Sequence, residues 1–239
     1  MKKPQLLMAT MLMILLFMSM GQAQSIFQAG ANFTLGFPQG EFHDNVETVG
    51  IGGTGHFALN FPQSPLSVGA SVGFLIYGRE TDVLPFSQTI PHVFVDVTTT
   101  NSILLGHLFL RLQPPQGKIL PYLDGIIGFN YLWTETSIED QDTPGYDKIA
   151  STTQLDDITF CYGVGGGLMF RVWQAPEIKP GRRGLQGVYV DVGIRYLKGG
   201  EAEYLKEGSI EIEDGSVNYD INKSTTDILT AHIGASFAF

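Results

Sequence analysis

One pattern recurs eight times along this chain. Over stretches of ~9–12 residues, large apolar side chains alternate with small or polar ones. "IFQAGANFTLGF" puts Phe27, Phe33, Leu35 and Phe37 on one face and Gln28, Asn32 and Thr34 on the other. Successive side chains of a strand point to opposite faces, so the spacing predicts a strand with one apolar and one polar side. The same alternation occupies residues 50–61, 66–77, 101–112, 120–133, 158–173, 188–197 and 228–239. Apolar residues at helical spacing are absent.

The connections alternate in length. The first, third, fifth and seventh are long and acidic; the second, fourth and sixth are shorter. An even strand count with a long–short rhythm predicts an all-β fold: an eight-stranded antiparallel up-and-down transmembrane β-barrel with long extracellular loops, over residues 24–239. A soluble β-sandwich also alternates, but here the eight apolar faces carry no formal charge. Charges on the opposite faces sit where a barrel interior would be. A sheet in lipid must close on itself, because no water satisfies an open edge.

The N-terminus reads as a signal peptide, residues 1–23: Lys2 and Lys3, an apolar run from Leu6 to Met20, then small residues ending at Ala23. Its 15 apolar residues are fewer than the ~20 a helical span needs. Removal of Lys2 and Lys3 takes the formal net charge from −10 to −12. No basic patch is present to meet phosphates, so nucleic acid is not an expected partner. The single Cys161 cannot form an internal disulfide and reads as a small inward packing residue.

The chain ends on "HIGASFAF", with Gly234, then Phe237 and Phe239 in the apolar row. This ending resembles the C-terminal assembly signal of bacterial outer-membrane barrels, which closes on an aromatic residue. "VYVDVGIRYL" followed by Gly199 and Gly200 looks like the penultimate strand of the OmpA/OmpX-like eight-stranded barrels, the outer membrane protein beta-barrel domain. The whole chain after residue 23 resembles that family. The resemblance implies a Gram-negative outer membrane, outer-membrane lipid as surroundings, and insertion by the barrel-assembly machinery. It implies no single function, since the fold hosts adhesins, enzymes and narrow pores.

Five charges fall on the inward faces: Arg111, Asp124, Arg171, Asp191 and Arg195. The strand order places Arg111 with Asp124, and Arg171 with Asp191, on neighbouring strands at diagonal positions. An eight-stranded barrel is just wide enough for side chains to fill it. The expectation is a plug of ion pairs with Tyr122 and Tyr189; the alternative is a solvated pocket or narrow pore. His56, His107 and His232 also face inward. No catalytic constellation, cofactor site or metal site is expected: Glu41-x-His43 lies in a loop, and the acids of residues 137–142 lack EF-hand spacing. The acidic loops are the expected route to an extracellular ligand. The acidic stretch around Asp214-Gly215 reads as a hairpin extending the last two strands beyond the membrane, with ten spanning strands as the alternative. "KPGRR", residues 179–183, reads as a solvated basic turn.

Overall fold

The computed structural model describes residues 26–62, 64–87, 90–140, 148–176, 184–213 and 216–239. The proposed signal peptide, the 179–183 turn, the end of the 137–142 stretch and the Asp214-Gly215 dipeptide lie outside these residues.

The described residues form ten strands and one short helix. They are β1 (Phe27–Pro38), α1 (Glu41–Asn45), β2 (Gly50–Asn60), β3 (Leu66–Ser87), β4 (Ile90–Leu112), β5 (Ile119–Asp140), β6 (Lys148–Gln174), β7 (Gly187–Gly199), β8 (Glu201–Glu213), β9 (Ser216–Thr225) and β10 (Ile228–Ala238). Eight close into an antiparallel barrel in the ring order β1-β10-β7-β6-β5-β4-β3-β2. Barrel strands therefore neighbour their sequence neighbours, except where β7 meets β10 past the β8–β9 hairpin and where β10 meets β1.

The alternation seen in the sequence sets which face points out. On β6, Phe160, Tyr162, Val164, Leu168, Phe170 and Val172 are all exposed, Phe160 and Val164 by 63% and 66%. On β4 and β5, Leu108, Leu110, Leu123 and Ile127 do the same. Exposed apolar side chains thus form a belt around the ring. From Phe27 to Phe37 the outward row of β1 covers ten residue steps, ~33 Å of strand; a ~40° tilt projects this to ~25 Å, the height of a membrane barrel's apolar band. Aromatic side chains edge the belt: Phe74 meets Trp133 at 5.6 Å and Tyr131 meets Trp133 at 5.4 Å toward the loop end, and Phe27 meets Phe57 at 6.0 Å near the chain termini. The hydroxyls of Tyr131 and Tyr196 donate to Asp156 and Asp227 at that loop-side edge.

Three features depart from the sequence expectation. First, β3 to β6 run 22, 23, 22 and 27 residues, about twice the predicted length. β2 leaves β3 at Ile76 and β7 leaves β6 at Cys161, while β3–β4 pairing continues to Ser87 and Ile90 and β5–β6 pairing to Glu139 and Lys148. Four strands therefore rise above the ring as a wall. The run "VDVTTTN" (95–101) is rich in β-branched threonine and valine, which suit an extended strand, and it buries Thr98 and Asn101. Second, the acidic hairpin is neither a pair of spanning strands nor a continuation of the barrel ladder. β8 and β9 form a two-stranded sheet of their own. Third, the inward faces are not uniformly small or polar. Leu75, Ile103, Leu105, Phe109, Leu132, Leu197 and Ile228 point into the barrel and are buried.

Candidate functional site

Those inward apolar residues gather with Phe42 of α1 and with Ala202 and Tyr204 of β8 in one buried cluster that runs from the loop end down to Phe109 beside Arg111. Phe42 stands edge-on to Tyr77 (5.8 Å between centroids) and to Tyr204 (5.2 Å). The α1 turn begins at Gly40, whose φ of 57° an L side chain rarely adopts, and this lets the chain fold inward as soon as β1 leaves the ring. The Tyr204 hydroxyl meets Ser224 Oγ at 2.7 Å across the hairpin, and burial pushes its phenol above the ordinary range. The hairpin is tied to the wall where Gly200 N donates to the Phe160 carbonyl (2.9 Å) and Glu203 N donates to Asp157 (2.8 Å). It is tied to α1 where Thr225 donates twice to Glu41. A helical turn and a hairpin thus sit over the mouth of the ring.

Below this cap the lumen gathers its charged groups, beside Phe109 and a small buried cluster of Leu120, Tyr122 and Met169. Arg111 and Asp124 face each other directly in the β4–β5 register, not diagonally. Arg111 grips the carboxylate with two bonds, Nε to Oδ1 at 2.7 Å and Nη2 to Oδ2 at 2.8 Å. Both side chains are fully buried. This fork geometry is the strong form of a charged hydrogen bond. The Arg111 guanidinium also lies 3.9 Å from the centroid of the Tyr122 ring, a cation–π contact. Arg195 places Nη2 3.9 Å from Asp124 Oδ2, so one carboxylate faces two guanidiniums.

Asp191 takes a different partner from the expected one. Its ladder neighbour on β6 is Met169, while Arg171 stands opposite Tyr189. No ion pair joins Arg171 to Asp191 among the described residues. The Tyr122 hydroxyl donates to Asp191 Oδ1 at 2.9 Å and lies 3.1 Å from His232 Nε2. Two glycines opposite each other on β6 and β7, Gly167 and Gly193, make the recess for this phenol: a Cβ at either position would collide with the Tyr122 ring or hydroxyl.

A second polar layer surrounds the lower lumen. Gln28 donates to Ser236 Oγ at 2.8 Å, His56 reaches the same hydroxyl at 3.3 Å, and Ser67 donates to Asn60 at 2.6 Å. Gln113 bridges Gln28 and Asn60, each at 3.4 Å. His107 is buried on the inward face of β4, and Cys161 is buried without a disulfide.

The structure therefore brings Arg111, Asp124 and Arg195 together, seats Asp191 with Tyr122 and His232, and sets Arg171 apart. Sequence reasoning missed the cap and the direct Arg111–Asp124 register. It also missed the part of Tyr122 as the link between the Arg111 and Asp191 groups. The apolar runs "FLIYG" and "SILLG" carried a signal for the cap, because both faces of the strand are apolar there.

At the opposite end the ring closes on the last residue. Ile26 N and Phe27 N donate to the Phe239 carbonyl at 3.1 and 3.3 Å, and Phe239 N donates to Phe27 at 2.8 Å. Phe237 and Phe239 point outward and are partly exposed. A Cβ on Gly234 would strike the backbone of Ala31 and Asn32 on β1, so glycine permits the close approach of the two seam strands.

No protein-family model and no curated protein matches the chain. Among solved structures it is similar to Neisserial surface protein A at 11% identity and a TM-score of 0.38, over 90% of this chain and 97% of that one. It is also similar to Ail, the attachment invasion locus protein of Yersinia pestis, crystallised with the heparin analogue sucrose octasulfate, at 14% identity and a TM-score of 0.39. That likeness covers 92% of this chain and 100% of that one. The barrel itself rests on its hydrogen-bonded closure.

Proposed function

We propose that this protein is an integral barrel of the bacterial outer membrane, exported by removal of residues 1–23 and inserted by the barrel-assembly machinery. Its role is structural or surface-interacting and not enzymatic, it presents its capped mouth and acidic connections outward, and its lumen is plugged by side chains. The observation that carries the reading is the inversion of an ordinary protein's polarity. An uncharged apolar belt faces out around a closed ring, and buried Arg111, Asp124, Asp191 and Arg195 face in. Only a surrounding that is itself apolar makes that arrangement favourable.

Two observations support a plug. The side chains of Arg195 and Ser71 meet across the lumen, and the Phe42–Tyr204 cluster covers the mouth. A narrow pore is the second reading. It is favoured by buried polar atoms with no partner among the described residues, Asn32 Oδ1, Arg111 Nη1 and Arg195 Nε, which water in a thin path would satisfy. Planar-bilayer recording separates the two: a plug gives no steady conductance from the intact barrel, and a pore gives one that persists. Recovery of the protein from a soluble periplasmic fraction would overturn both.

A further inference from the structure

A cavity of about 330 Å³ opens at the mouth beside the segment that leaves α1, and its walls include Asp44, Asn45, Glu47, Thr48, Tyr77 and Asn101. Among the described residues its lining holds two carboxylates and no lysine, arginine or histidine. Among the described residues neither Asp44 nor Glu47 is ion-paired. Tyr77 is a different kind of wall. It is only 3% exposed, and its hydroxyl has no hydrogen-bond partner among the described residues. A buried phenol left unpaired is disfavoured unless a ligand completes it. Asn101 is already engaged, its Oδ1 accepting from Thr134 at 2.7 Å.

The lining narrows the class of ligand. Two carboxylates without a balancing base reject an anion. A bound metal ion needs several ligands converging on a point, and among the described residues no group of three or more His, Cys, Asp or Glu could hold one. Separated acceptors suit a ligand whose positive charges are themselves separated. An adjoining cavity of about 410 Å³ shares Asp44 and Asn45 and adds Glu41 and Glu201. Those two acids are partly engaged, Glu41 by Thr225 and Glu201 by Lys223 at 3.8 Å. The first cavity is therefore the stronger cation acceptor and the second a weaker continuation. Between the acids, Val46 and the Tyr77 ring offer apolar surface for methylenes.

We infer that the mouth binds an aliphatic di- or polyamine, its separated ammonium groups distributed over Asp44, Glu47 and the Tyr77 hydroxyl and its chain running toward Glu41. This rests on the mouth being the outward end, and it names the ligand class of that surface. Calorimetric titration of spermidine into the purified protein in uncharged detergent tests it. Saturable one-to-one binding is expected. Tyr77→Phe should weaken it by about tenfold, the loss of roughly one charged hydrogen bond, and D44N/E47Q should weaken it further. Glu203→Gln, on the hairpin outside both cavities, should leave it unchanged.

Absence of saturable binding would overturn the inference, as would equal weakening by Glu203→Gln. So would displacement by magnesium as readily as by another amine at matched ionic strength. D44N/E47Q alters only partly or fully exposed side chains, so it keeps the test decisive if Tyr77→Phe does not fold. Binding is read on purified barrels, so its failure leaves the conductance and fractionation outcomes standing.

Discussion

Arg195 on β7 and Ser71 on β3 occupy strands diametrically opposed in the ring, yet the guanidinium Nη1 lies 3.4 Å from the serine hydroxyl. One side chain therefore crosses the lumen. Because Arg195 also approaches Asp124, which Arg111 holds from the next strand, the walls are connected through charge as well as through the backbone ladder.

Asp124 is the negative centre of that connection. Asp124→Ala leaves the fully buried Arg111 without its partner, and removal of one member of a buried pair costs ~3–5 kcal/mol. Urea unfolding in detergent should show that loss. The double variant R111M/D124L removes both charges and should recover most of it. Equal instability of the single and double variants would show that the pair is not the source.

The outward belt predicts an opposite sensitivity. Leu108→Arg places a charge on the face that Leu108 exposes by 58%. In lipid this costs ~2–4 kcal/mol near the midplane. Folding into vesicles should suffer by that amount, while Thr153→Arg, on the wall above the ring, should be tolerated. Indifference at Leu108 would place the belt in water.

Removal of Phe239 takes away the carbonyl that Ile26 and Phe27 use and the amide bonded to Phe27. The truncated chain should yield a much smaller folded fraction, read as SDS-resistant mobility of unheated samples. Glu203→Gln on the hairpin should assemble normally. Normal insertion of the truncated chain would remove the terminal residue from the closure.

The cap should separate from the barrel. Phe42→Ala removes both edge-on contacts, to Tyr77 and Tyr204, and loss of a buried phenylalanine costs ~3–5 kcal/mol where it packs. Protease should then cut the β8–β9 hairpin faster while the ring stays SDS-resistant. Loss of the ring itself would mean that the cap is part of the barrel's own stability.

The facing of the eight barrel strands was legible because a period of two, held over a whole segment, admits one register of inside and outside. Phe160 through Val172 shows this, every second residue except Gly166 being exposed as the alternation requires. What escaped was information the period does not carry. Residues 96–101 bury polar side chains, Thr98 and Asn101, so no apolar row marks that part of β4. The Arg111–Asp124 register depends on how the turn at residues 113–118 joins β4 to β5, and a slip of two residues there conserves every facing. Arg171 and Asp191 do stand diagonally on β6 and β7, with Arg171 opposite Tyr189 and Met169 opposite Asp191, but the Tyr122 hydroxyl takes the Asp191 carboxylate instead. The helix α1 is five residues long, too short for helical spacing to repeat.

Six of the eight ring pairings join strands that follow each other directly in the chain, and β7–β10 spans only the hairpin. The β1–β10 seam alone joins residues as distant as Gln28 and Ala238, through eleven register pairs. Closing a loop of that length carries an entropic cost of ~5 kcal/mol. That cost falls on one step, after every local hairpin is free to form. The ring is thus a meander of local contacts everywhere but at its final junction, where the two ends of the sheet meet.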